Sequence, residues 1–180
     1  MTVLPPGAGS GARVFVVAAA LGVTQTIGYG TLYYAFGVLA PKMAADTGLS
    51  LTAVYGLFSI ALLAGGLVAP FAGRLFDRHE PAKVMAAGSL VCAAALVLWA
   101  LAPGSAAFAV LLVAVEVASV LALYEAAFVV AAHLAPLGQA RRTITGITFL
   151  AGFASTIFWP LTQYLATQMD WRGVYLVYAA

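Results

Sequence analysis

Apolar residues fall in five long blocks separated by short polar breaks. They run from about Val14 to Leu39, Leu51 to Ala72, Val84 to Leu101, Ala106 to Ala132 and Ile144 to Ala166. About 20 apolar residues suffice for a helix to cross the hydrocarbon core of a bilayer, so each block predicts a membrane span. The breaks are Pro41 to Ser50, Gly73 to Pro81, Pro103-Gly104-Ser105 and Pro136 to Arg142. Such short links place consecutive helices side by side. After Trp171-Arg172-Gly173 a new apolar run occupies Val174 to Ala180. It reads as a sixth span cut short. The predicted fold class is therefore all-α: a polytopic membrane helix bundle with five complete spans and the start of a sixth. Residues 1–13, rich in Pro and Gly, read as a tail, and residues 14–180 as the bundle.

Composition strengthens this reading. Hydrophobic residues make up 64% of the 180 and charged residues 8%, with a mean hydropathy of +1.04. Soluble domains carry about 25% charged residues, and a chain this short lacks the volume to bury so much apolar side chain. Lipid is the expected partner of the outer surface. A net charge of +2 points to no nucleic-acid partner. The single cysteine, Cys92, permits neither an intrachain disulfide nor a zinc site, and no metal or other cofactor is expected. No H-E-x-x-H, G-x-S-x-G or paired aspartates argue for an enzyme.

The placement of charge gives the orientation. Arg13, Arg74, Arg78, Lys83, Arg141 and Arg142 fall on one side of a five-span chain, and Lys42 and Arg172 on the other. Basic residues mark the cytoplasmic side. The N-terminus and the second and fourth links are expected there, in a multi-pass cell (inner or plasma) membrane protein.

A carboxylate within a span is costly, about 2.5–3.5 kcal/mol on insertion scales, and defaults to a functional hypothesis. The fourth span carries Glu116 and Glu125. Nine residues at about 100° each put them on nearly opposite faces of a straight helix, so they are not expected to share a site. Either could take up a proton or pair with a cation in a central cavity, or stay neutral and hydrogen-bonded to a neighbouring helix. His133, eight residues beyond Glu125, reads as interfacial. In the first span Gln25, Tyr29 and Tyr33 form an i, i+4, i+8 column suited to a cavity wall, with an outer aromatic belt as the alternative for the tyrosines. Gly22, Thr26 and Gly30 form a separate small-residue stripe for helix packing. In the fifth span Pro160 predicts a kink.

The segment Gly73-Arg-Leu-Phe-Asp-Arg-His-Glu-Pro-Ala-Lys83 resembles the G-x-L-x-D-R-x-G-R-K/R signature between helices two and three of the major facilitator superfamily. Gly73, Leu75, Asp77, Arg78 and Lys83 fit, and the Trp171-Arg172 pair is similar to the family's outer loop. The resemblance spans essentially the whole chain, read as the first of two six-helix halves. It implies a secondary active transporter moving a small organic solute by alternating access, here an N-terminal fragment whose C-terminal half is missing, with a coupled proton as a candidate. Gly73, Asp77, Arg78 and Lys83 are then the conformational gating loop. Glu80 stands at a motif glycine, which implies an altered turn and a loosened gate. More narrowly, Gly30 to Ser50 followed by the Gly73 loop loosely resembles bacterial monocarboxylate or organic-anion transporters. A truncated membrane protein that transports nothing and acts as an interaction or assembly module is the alternative reading.

Overall fold

A computed structural model describes residues 8–180, with side chains from residue 11 onward. The described residues are helical almost throughout. In order they form α1 (Ala8–Tyr29), a π-helical turn (Gly30–Tyr34), α2 (Ala35–Thr47), α3 (Leu51–Arg78), α4 (Pro81–Ala100), α5 (Gly104–Ser119), α6 (Tyr124–Leu134), α7 (Ala140–Ala151), α8 (Ala154–Gln168) and α9 (Trp171–Ala179). Stacked end to end, they make five rods long and apolar enough to cross a membrane: Gly11–Thr47, Leu51–Arg78, Pro81–Ala100, Gly104–Leu134 and Ala140–Gln168. The expected 1–13 tail lies partly outside the described residues, and its positions 8–13 open α1.

The spans run further than the apolar blocks. The first rod continues through Pro41 to Thr47, leaving only Gly48 to Ser50 as a link. A proline inside a helix lacks the N–H that bonds to the carbonyl four residues back. For Pro41 that carbonyl belongs to Gly37, and the Tyr55 hydroxyl of α3 donates to it at 3.4 Å. The link then turns at Gly48, whose φ of 70° is left-handed, and Ser50 caps α3 by accepting from the Ala53 N–H at 3.1 Å.

Two rods are broken, and neither break is at a proline. The fifth rod divides at Gly152–Phe153, between α7 and α8, rather than at Pro160, which lies inside α8. The fourth divides at Val120–Leu123, where Leu123 takes extended backbone angles. That stretch contains neither glycine nor proline. Its neighbours accommodate it. A Cβ added at Gly88 of α4 would lie 2.5 Å from Leu121 Cβ and 2.7 Å from its carbonyl oxygen. On the other side, a Cβ at Gly65 of α3 would come within 3.0 Å of the Glu116 carbonyl oxygen.

The small-residue stripe of α1 faces the fifth rod. Leu150 fills the space beside Gly22, and the Phe158 ring that beside Gly30. The Thr26 hydroxyl donates to Leu150 O at 3.1 Å. The main core is aromatic. Phe36, Phe58, Trp99, Phe108, Trp171 and Tyr175 are buried together, with Phe36 and Phe58 stacked at 4.1 Å between ring centres. The Trp99 indole N–H is satisfied by Phe108 O at 3.1 Å.

One polar tie shows which links share an end of the bundle. Arg172, at the start of α9, donates from Nε and Nη2 to Asp46 Oδ2 at 3.2 and 2.9 Å. Its Nη1 reaches Ala100 O and Ala102 O at 2.7 and 3.0 Å. The ends of the first and third rods and the start of α9 therefore meet, as antiparallel neighbours joined by short links require.

A cavity at the break in the fourth span

The break at Val120–Leu123 changes what the fourth rod presents. A straight helix would turn the two glutamates to opposite faces. Instead α5 ends at Ser119 and α6 restarts at Tyr124, and both Glu116 and Glu125 line one cavity of about 260 Å³. Tyr29 of α1, Tyr33 of the π-helical turn, and Gly65 and Gly66 of α3 also contribute to its wall. No Lys, Arg or His side chain among the described residues lines it.

The two carboxylates differ in setting. Glu116 is only 4% exposed. Its carboxyl makes no hydrogen bond or ion pair within the described residues, although its backbone carbonyl accepts from the Ser119 hydroxyl at 2.7 Å. Glu125 sits in the first turn of α6 and is exposed at the cavity mouth. A carboxylate in the first helical turn is favoured by the positive end of the helix dipole.

The aromatic column is continuous from Tyr29 to Tyr33, with ring centres 6.4 Å apart in an edge-on arrangement. Tyr29 is backed by Tyr124 at 4.5 Å. The π-helical turn sets the azimuth of Tyr33; such turns insert an extra residue and recur at functional sites. Tyr33 stays 43% exposed. Gly66 faces open space. Pro70, four residues on, lacks the N–H that would close on the Gly66 carbonyl, which leaves that oxygen without its usual helical partner.

Gln25, the first member of the column, lies elsewhere. It is fully buried, and its Nε2 donates to Ala122 O at 2.9 Å. It ties α1 to a carbonyl that the broken helix leaves open, while its own Oε1 has no partner among the described residues. Its place is at the packing contact behind the cavity, not in the wall. Ser119, which does line the cavity, escapes a reading of the sequence; a lone serine in an apolar run carries no signal of its own.

The Gly73 to Lys83 segment is mostly helix, not loop. Gly73, Leu75, Asp77 and Arg78 ride the last turns of α3, and only His79 and Glu80 separate it from α4. The His79 ring Nδ1 lies 3.1 Å from Leu75 O at the helix end. Glu80 has φ −63° and ψ 116°, an ordinary extended conformation for any residue. The glycine it replaces is therefore not needed for a left-handed turn here, and the altered turn is not found. Its carboxylate pairs with Lys83 at 2.7 Å, and that hydrogen bond holds it below the usual carboxylate range. Gly73 has nothing within 4 Å of an added Cβ, and Asp77 makes no hydrogen bond or ion pair within the described residues.

These features define a polytopic helical membrane protein with an open-sided, mostly apolar cavity bordered by two glutamates. The family model of the Major Facilitator Superfamily matches residues 18–180, nearly the whole chain, and the chain belongs to that superfamily of transporters. No curated protein and no solved structure gives a significant match.

Proposed function

We propose that the chain is the N-terminal six-helix half of a secondary active transporter that moves a small organic solute by alternating access, and that the cavity holding Glu116 and Glu125 is its share of the substrate path. The observation that supports this reading is the break at Val120–Leu123: Glu116 before it and Glu125 after it both border one cavity, together with Tyr29 and Tyr33. Charged groups at membrane depth face a bundle interior or a water-filled cavity and mark solute or proton paths. Binding at midplane between two repeats, beside an interrupted helix, is a recurring plan of such transporters. The cavity is open rather than enclosed, which suits closure by a second bundle.

In this reading the six-to-two Lys/Arg asymmetry sets the N-terminus in the cytoplasm of a cell membrane. Gly73, Asp77, Arg78 and Lys83 form the cytoplasmic contact with the second half. Gly73 offers an unobstructed helix face, and Asp77 a carboxylate free to pair across the interface. Glu116 and Glu125 are the groups available to a coupled proton; Gln25 acts behind them by holding the break.

Flux through proteoliposomes reconstituted with the chain in its full reading frame tests the proposal, using a radiolabelled panel of small organic amines, acids and sugars. Saturable uptake that is abolished in Glu116→Gln supports it. Absence of uptake of any panel member, from protein verified as folded, overturns it.

A further inference from the structure

We propose, independently of the transport reading, that the groove between the charged ends of α3 and α4 binds one phospholipid with an anionic headgroup, the headgroup beside Lys83 and an acyl chain running down to Leu121. The groove holds about 510 Å³, against about 260 Å³ for the cavity at the break. Its polarity changes along its length. His79, Glu80 and Lys83 border one end, and Leu75, Gly88, Val91 and Leu121 line the rest. Lys83 and Val91 are eight residues apart on α4, about 12 Å along a helix. The charged end therefore stands at the start of a membrane span and the apolar end well inside it. A phospholipid lying along the helix has the same order of polarity. The apolar part is open to the outside: Val91 is 52% exposed and Leu75 38%. At that depth the surrounding solvent is lipid and not water.

Charge decides which lipid. Arg74 and Arg78 border an adjoining hollow that shares Leu75 and His79 with the groove. Around the two together stand three permanent cations, Arg74, Arg78 and Lys83, and a single carboxylate, Glu80. Lys83 pairs with Glu80 at 2.7 Å, but 80% and 53% of the two side chains are exposed. An ion pair so open contributes little, and a phosphate can compete for the ammonium. Basic pockets between spans at the end rich in Lys and Arg hold anionic headgroups in this way. Leu75 and His79 stand about 160° around α3 from Gly73 and Asp77, so a lipid here leaves that other face of α3 free.

The test uses the full-length protein in vesicles of phosphatidylcholine and phosphatidylglycerol, with one lipid or the other brominated to quench tryptophan. Trp159, which is 56% exposed, is first replaced by phenylalanine. Val91→Trp then reports from the deep end of the groove, and Val110→Trp, at a lipid-facing position that is 68% exposed, reports on ordinary surrounding lipid. The expected result is a preference for phosphatidylglycerol of about fivefold or more at position 91, the worth of one Lys or Arg beside an anionic headgroup, and none at position 110. Lys83→Gln should remove most of that preference, and Glu80→Gln should raise it by freeing the ammonium. Both side chains are exposed, so neither variant threatens the fold.

Equal quenching by the two lipids at position 91 overturns the proposal, because lipid there is then solvent only. Absence of quenching by either also overturns it, since something other than lipid then fills the groove. So does a preference that neither Lys83→Gln nor Glu80→Gln alters. The transport reading stands or falls separately, on flux.

Discussion

Removing Asp46 should loosen the end of the bundle where α2, α4 and α9 meet. Its Oδ2 accepts from Arg172 Nε and Nη2 and from the Trp171 indole N–H at 3.1 Å. The ion pair is partly solvated, with 27% of the arginine and 44% of the aspartate side chain exposed. After screening it contributes about 0–1 kcal/mol. Trp171 is 2% exposed, and an indole N–H stranded by Asp46→Ala costs about 1–3 kcal/mol. Together these give about 2 kcal/mol. Asp46→Asn keeps an oxygen acceptor and loses only the charge, so it should cost about 1 kcal/mol or less. At about 2–4 °C per kcal/mol for a chain of this size, the alanine variant should melt about 4–8 °C lower by tryptophan fluorescence in detergent. Added salt should shrink the asparagine effect, because only the charge interaction is screened. An alanine variant that melts within a degree of the parent refutes the reasoning. So does an asparagine variant that falls as far as alanine, since charge and not the acceptor would then hold Trp171.

Gly66→Leu should abolish cavity binding and flux, by more than about tenfold, with no loss of melting temperature, because its side chain enters open space in the cavity and leucine favours helix by about 1 kcal/mol over glycine. Gly88→Val should destabilise the protein by about 2 kcal/mol, measured by denaturation in mixed detergent, because its Cβ would press on the Leu121 backbone. Glu80→Gly should give no gain in melting temperature, since position 80 needs no left-handed backbone. The Glu80–Lys83 contribution has a defined pH sign. The folded carboxylate is held below its ordinary range, so its stabilisation is present above the unfolded pKa and fades as pH falls through the lowered one. Parent and Glu80→Gln melting curves should accordingly converge in acid; a gap that persists there contradicts this.

The number of spans, their order and the charge asymmetry are legible from the sequence because each depends on long, local runs of apolar side chains and on where basic residues fall. The ends of the helices are less so. The block from Leu51 stops being apolar at Gly73, yet α3 continues to Arg78: a helix emerging from lipid needs no apolar face, only intact backbone bonds. Pro160 lies inside α8 without ending it, since a proline tolerated within a packed membrane helix need not mark a break.

Two parts of the candidate site cannot be read locally. The fourth rod breaks within Val-Leu-Ala-Leu, residues that favour helix or strand and carry no turn signal. The features that permit the break lie on other helices: Gly88 and Gly65 give it room, and Gln25 donates to the Ala122 carbonyl it leaves open. The i, i+4, i+8 spacing groups Tyr29 and Tyr33, whose rings meet, and also Gln25, whose side chain is buried against the break. The π-helical turn and the break each rotate the residues C-terminal to them, and no constant angle per residue captures that rotation.

The central claim is that Glu116 and Glu125 share one water-accessible cavity. Single cysteines at positions 116 and 125, in a Cys92→Ser background, should test it most directly, with a membrane-impermeant trimethylammonium methanethiosulfonate as the reagent and position 110 of α5 as a lipid-facing control (Val110 is 68% exposed). Modification is expected at both 116 and 125 and none at 110. A straight, unbroken fourth helix turns the two positions to nearly opposite faces, and reaction at only one of them would contradict the shared cavity.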